Sequence, residues 1–232
     1  WWRSSARSAD LESTFVQSNS EPDNQEKIIM YSKDTSNEHI VIPLSEVVVY
    51  PETRTKFLVG KTVGEALIAA TKSGSSASAV GLTAKSDAEA VENPVDAFYT
   101  VGTLLSIMRM QPADEGYIVF AHATSRVRAV ALSEIEGVYH ASCEPLPDID
   151  DLDEEGREEM LRDVRAAIHE ISSNFQGSEQ FTRPVDGMES VDQIMAFVMP
   201  FMPVDVATKQ SLLETVSVKE RYNAFLSLLV DF

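Results

Sequence analysis

Ile42-Pro43-Leu44-Ser45-Glu46-Val47-Val48-Val49-Tyr50-Pro51, and then Phe57-Leu58-Val59-Gly60-Lys61, is the stretch whose reading decides the fold. Val47 to Tyr50 is an uninterrupted run of strand formers, whereas Pro43 and Pro51 cannot donate to a ladder and belong at strand starts, edges or turns. The stretch therefore predicts a strand, a sharp corner and a second strand ending at Gly60. Val63, Ala66, Leu67 and Ala70 recur at helical spacing behind Thr62, a residue able to cap a helix, so the fold opens β, β, α.

Outward from there, Lys72 to Ser76 reads as a loop, Ala79 to Ala84 as a short buried strand, and Asp87 to Pro94 as a second loop. Phe98 to Met110 is a long strand signal, in which Gly102 predicts a bulge or bend. Gln111 to Gly116 turns the chain. Tyr117 to Leu132 returns with Val127, Ala129 and Ala131 on one face and Arg126, Arg128 and Val130 on the other, and Gly137 to Cys143 adds one more strand. These short, bent elements predict a mostly antiparallel, strand-rich unit of pseudo-barrel type.

Composition changes at Pro145-Leu146-Pro147, after which Asp148 to Glu159 carries eight carboxylates in twelve residues. Leu161, Val164, Ile168, Ile171 and Phe175 then define one long amphipathic helix whose acidic end lies at its N-terminus, where the macrodipole favours it. Asn174 to Gly187, containing Pro184, reads as a polar connection. Ser190-Val191-Asp192-Gln193 and Ser217-Val218-Lys219-Glu220 have the form of capping boxes, each ahead of an apolar helical pattern, and Met199 to Pro203 breaks the helix between them. A further helix is predicted over 206–215. The expected organisation is a flexible N-terminal arm over 1–37, poor in apolar residues apart from a possible edge strand at Ile28 to Tyr31, a strand-rich subdomain over 38–147, and a helical subdomain over 148–232.

The totals exclude several classes of function. A formal charge of -18 over 232 residues opposes a polyphosphate backbone, so nucleic acid is not an expected partner. The single cysteine, Cys143, permits no intramolecular disulfide and suits a reducing compartment, with the cytoplasm as the default. No apolar run is long enough for a transmembrane helix, and no membrane association is expected. The start at Trp1-Trp2, without an initiator methionine, suggests a processed end, a fragment or appended residues. The apolar finish at Ala224 to Phe232, with no cap, suggests a helix that was cut.

Four features invite chemistry and fail on spacing. Gly60-Lys61-Thr62 resembles the end of a phosphate-binding loop, but Thr55 stands where that loop needs a glycine. His140 and Cys143, three apart on a strand, point to opposite faces. His169 lies among carboxylates without a repeated ligand spacing, and the acidic run lacks the pattern of a Ca²⁺ loop. Arg126 and Arg128 share a face and could hold an anion, although pairing with glutamates on a neighbouring strand is the favoured reading.

Pro-Leu-x-x-Val-Val-Val-Tyr-Pro at 43–51, with Phe57-x-Val59-Gly60-Lys61 and the Ala-rich helix, resembles the start of the Lon protease amino-terminal domain. The resemblance continues through Phe98, Val101-Gly102-Thr103, Ile107 and Met110, then Arg126-x-Arg128. It ends in Met199-Pro200, Lys209-Gln210-x-Leu212-Leu213-Glu214 and Val218-x-x-Arg221, so that it covers about 38–229. The chain departs from the family pattern at Ala123 and over Glu52 to Thr55. The resemblance implies an α+β fold, a PUA-like pseudo-barrel followed by an all-helical bundle. It further implies a segment that recognises unfolded or tagged proteins, helps to assemble a homo-oligomeric ring, and passes clients to ATPase and serine-lysine protease parts outside these residues.

On that reading no catalytic residue, cofactor or metal is expected in this segment, ATP and Mg²⁺ belonging to the parent enzyme. Tyr50, Pro51, Met199, Phe201 and Met202 are the candidate client contacts, because aromatic and methionine side chains adapt to varied partners. The same residues are equally readable as core. An alternative of a different class is a free-standing adaptor or regulatory module with the same fold and no enzyme attached. RNA binding through the PUA-like part is a third reading, which the charge opposes.

Overall fold

The chain was analysed as a computed structural model, which describes residues 37–72, 78–86, 93–173 and 179–231. Most of the expected arm, including Ile28 to Tyr31, lies outside these residues, as does Phe175.

Six strands build the first half: β1 (Glu38–Leu44), β2 (Arg54–Gly60), β3 (Ser78–Thr83), β4 (Val101–Ala113), β5 (Gly116–Ile135) and β6 (Val138–Pro145), with helix α1 (Lys61–Lys72) between β2 and β3. Their order is β2-β5-β4-β3-β1-β6, and a further β5–β6 pairing closes five of them into a ring. All pairings are antiparallel except β1 with β3, in keeping with the mostly antiparallel barrel expected. Closure depends on the length of β5. Its first half runs between β2 and β4, and its second half turns to meet β6. Register shifts at Leu104/Leu105, Ile107/Arg109 and Ala129/Ala131 bend the strands toward closure.

Gly102 is not at one of these shifts. It is required by close approach, since a Cβ there would lie 2.2 Å from the Gly81 carbonyl oxygen. The predicted turn at Gln111 to Gly116 is tighter than expected, because β4 continues to Ala113 and only Asp114 and Glu115 separate it from β5. Helix α1 starts at Lys61, one residue before the expected cap.

Val47 to Tyr50 is not a strand. The segment is extended, but its carbonyls are met by side chains: Thr83 Oγ1 donates to Val47 O at 2.9 Å and Thr103 Oγ1 to Val49 O at 2.6 Å. The run of strand formers serves another end. Val49 packs into the core of the barrel with Ile42, Leu105 and Val119, while Val48 and Tyr50 point the other way into the core of the helices. The stretch is an extended wedge between two apolar cores.

The second half comprises α2 (Glu154–Ser173), α3 (Glu179–Asp186), α4 (Val191–Val198), α5 (Val206–Glu214) and α6 (Val218–Val230), with a 3-10 turn at Met199–Phe201. Val164 and Ile168 of α2, Ile194 of α4, Leu212 and Leu213 of α5 and Phe225 of α6 fill the core, and Val101 of the barrel joins them. Helix α3 overrides the predicted connection. Pro184 lies within it, and burial of the neighbouring Val185 against the other helices outweighs the local preference. Among the described residues no helix is long and apolar enough to cross a membrane.

Candidate functional site

The residues that drew attention in the sequence meet where the barrel and the helices join. Tyr50 is 2% exposed, and its hydroxyl donates to the Lys209 carbonyl oxygen at 2.8 Å. Burial pushes that hydroxyl well above the ordinary tyrosine range. Gln210 Nε2 of α5 donates to the Val101 carbonyl oxygen of β4 at 2.9 Å. Arg126 of β5 is buried beneath the helices. Its Nη1 donates to the carbonyl oxygens of Leu213 at 3.0 Å and Thr215 at 2.6 Å, at the C-terminal end of α5, where the helix dipole favours a cation.

Arg126 also pairs with Asp148. The expected partner was a glutamate on a neighbouring strand, but Arg126 lies under the helical half, and the carboxylate comes from the segment joining the halves. Arg221 of α6 is buried beside it, with Nη1 2.8 Å from Asp148 Oδ1 and Nη2 3.2 Å from Asp192 Oδ1. Tyr222 donates to Asp192 Oδ2 at 2.5 Å. Burial, reinforced by Arg221 and opposed by Asp192, lowers Arg126 to about 10. Tyr50, Arg126, Asp148, Asp192, Met195 and Arg221 line a cavity of about 250 Å³ at this junction. Its two guanidinium groups are already neutralised, so the cluster ties barrel to helices. Arg128, by contrast, is exposed.

Burial divides the candidate contact residues. Tyr50, Met199 and Met202 lie in the helical core, each less than a tenth exposed. Pro51 is half-buried, and Phe201 alone of the five is largely exposed, at 65%, its ring edge-on to Phe197. Cys143 is buried, with its thiol pushed up to about 11, and His140 is half-buried. His169 Nε2 lies 2.7 Å from Asp186 Oδ1. Among the described residues no group of three or more histidine, cysteine or acidic side chains is placed to hold a metal ion.

A second surface was missed in the sequence. Alternation along β2 turns Thr55, Phe57 and Val59 toward the core and leaves Arg54, Lys56 and Leu58 outward. Register extends that outer face across the sheet in three rows: Arg54, His122 and Ser106; Lys56, Phe120 and Arg109; Leu58, Ile118 and Gln111. Leu58 is 64% and Met108 58% exposed. The Arg109 guanidinium lies 4.5 Å from the centre of the Phe120 ring. An open groove of about 560 Å³ is lined by Arg54, Lys56, Met108, Arg109 and Phe120 among others. The readable signal was Leu58, an apolar residue on the otherwise charged face of an alternating strand.

This barrel and helix arrangement is shared with solved structures. The N-terminal domain of the Mycobacterium avium complex Lon protease superposes with a TM-score of 0.63 at 16% identity, covering 84% of this chain and 98% of that one. A Lon N-terminal domain protein from Xanthomonas campestris gives 0.56 at 14% identity, covering 82% and 97%. The fold is that of Lon amino-terminal domains. The family model of the ATP-dependent protease La (LON) substrate-binding domain matches residues 38–231, and the chain belongs to that family. It is 47% identical over 205 residues to a Lon protease of Methanosarcina barkeri, covering 88% of this chain and 26% of the relative. It is 30% identical over 200 residues to that of Escherichia coli K12, covering 82% and 24%. The chain thus spans about a quarter of the length of these relatives.

Proposed function

We propose that this chain is the client-recognition segment of a Lon-type ATP-dependent serine protease. It captures unfolded or tagged polypeptides, contributes to a homo-oligomeric ring, and hands its clients to ATPase and protease parts that lie outside these residues. It works without a cofactor of its own, ATP and Mg²⁺ serving the motor, and it acts in the cytoplasm. The observation that carries this reading is the outer face of the sheet, where Met108 and Phe120 line an open groove and Leu58 is exposed on the same face, in a substrate-binding-domain family member. Exposed apolar side chains gathered on one face mark a surface that binds protein. Phe201 adds to the contact surface from the helical side, with Pro51 beside the corner. Tyr50, Met199 and Met202 support that surface from within the core.

Capture of a permanently unfolded, fluorescently labelled reporter protein by the 232-residue chain tests this. The double variant Leu58→Glu/Met108→Glu, folded as judged by circular dichroism, is expected to bind about tenfold more weakly, as loss of a contact pair on this scale implies. Unchanged capture by that variant, or none by the parent chain, overturns the assignment.

A further inference from the structure

The groove does more than offer apolar area: it borders a strand with an open edge. β2 is hydrogen-bonded to β5 on one side and has no sheet neighbour on the other among the described residues. Its seven residues keep unbroken register with β5, whereas β4 and β6 each pair with β5 through a shift. β2 contains no proline. A regular edge of this kind presents a row of unpaired backbone groups that an extended peptide can complete.

Charge states what kind of peptide fits. The chain carries 37 acidic against 19 basic residues, yet the three rows of the outer face hold Arg54, Lys56 and Arg109 and no carboxylate. A strand added beside β2 would place every second side chain, about 7 Å apart, along Arg54, Lys56 and Leu58. The side chains between them would fall beside Thr55, Phe57 and Val59, the face that turns to the core. A second copy of β2 is a poorer occupant, because it brings a further Arg54 and Lys56 and no carboxylate to a face that already holds Arg54, Lys56 and Arg109.

Resting on the reading above that the chain captures unfolded polypeptide, we propose that β2 receives an extended client segment as an added strand, selecting segments in which carboxylates alternate with apolar residues. The apolar positions extend the core face, and the carboxylates pair with Arg54 and Lys56, with Arg109 further in on the same face adding to the positive field. Because these pairs are at the surface, the preference weakens as salt rises.

The test uses the full 232-residue chain with two labelled, end-capped peptides, one alternating valine with aspartate and one alternating valine with lysine. Fluorescence anisotropy at low salt is expected to show the aspartate peptide binding at least about tenfold more tightly, with Arg54→Glu/Lys56→Glu reversing the order, since like charges placed together are strongly penalised at an interface. Amide hydrogen exchange is expected to slow within Arg54–Gly60 when the aspartate peptide is bound. Equal binding of both peptides, no protection in β2, displacement by a single-stranded oligonucleotide, or a dimer lost with the double variant would each overturn the proposal. If the unfolded reporter is still captured in those cases, only the strand-addition reading falls; if neither reporter nor peptide binds, the proposed function falls with it.

Discussion

Arg221 in the last helix and Asp148 in the segment between the two halves are joined by two hydrogen bonds, Nη1 to Oδ1 at 2.8 Å and Nη2 to Oδ2 at 3.2 Å. The same carboxylate meets Arg126 from the barrel, so one acidic residue bridges a buried cation from each half. Asp148→Ala removes the carboxylate that both guanidinium groups contact and leaves Asp192 paired with Arg221. A loss of about 2–4 kcal/mol is expected, somewhat below that for a fully buried pair because Asp148 is partly exposed. Urea unfolding of the parent and variant checks this, and a midpoint shift with an unchanged slope is the expected result.

Two exposed aspartates set part of the acid limit of stability. Asp151 accepts from Ser217 Oγ at 2.5 Å and from the Lys219 amide at 2.9 Å, and Asp205 accepts from the Thr208 amide at 2.6 Å at the start of α5. These bonds lower both carboxyls below their ordinary value of 3.8. Each therefore holds its proton less tightly folded than unfolded. Their stabilisation is complete above the unfolded value and is lost as pH falls through the folded one. Asp151→Asn/Asp205→Asn should lower stability at neutral pH and flatten its decline below about pH 4, as followed by thermal melts across that range.

Close backbone approach makes Gly102 intolerant of any side chain. With Gly81 O at 2.2 Å and Leu82 Cδ2 at 2.4 Å from the position of a Cβ, Gly102→Ala is expected to cost about 2–3 kcal/mol. At Gly60 a Cβ would meet nothing within 4 Å, so Gly60→Ala should change stability by less than about 0.5 kcal/mol. Paired denaturation curves of the two variants measure the contrast.

Cys143 should resist thiol reagents. Its side chain is buried and its pKa of about 11 leaves little thiolate at neutral pH. Labelling by a disulfide reagent is expected only after denaturant is added, and a fast native-state reaction would contradict the packing described for β6.

Much of this architecture was written locally. The serines of both capping boxes do cap: Ser190 Oγ accepts from the Gln193 amide at 3.2 Å and Ser217 Oγ from the Glu220 amide at 3.0 Å. What could not be read were the long-range partners. Val47 to Tyr50 is a true run of strand formers, but whether it enters a ladder depends on Thr83 and Thr103, distant residues whose hydroxyls donate to its carbonyls instead. Arg126 showed its strand and face, but not that a helix end would cover it. The outer groove was half legible, since Arg54, Lys56 and Leu58 alternate within one strand. Arg109 reaches Phe120 only because the register shift after Ile107 leaves Met108 as an extra residue, and no spacing rule announces it.

The hydrogen bond from Tyr50 to Lys209 spans 159 positions in the chain. On a ribosome, Val48 and Tyr50 emerge long before α4 to α6, so the wedge is greasy and uncovered on its helical side until translation is nearly through this segment. A chain stalled before Lys209 could close its barrel yet would display Val48, Tyr50 and Val101 to solvent. An incomplete copy would then carry the kind of exposed apolar surface that its completed sibling is proposed to seize.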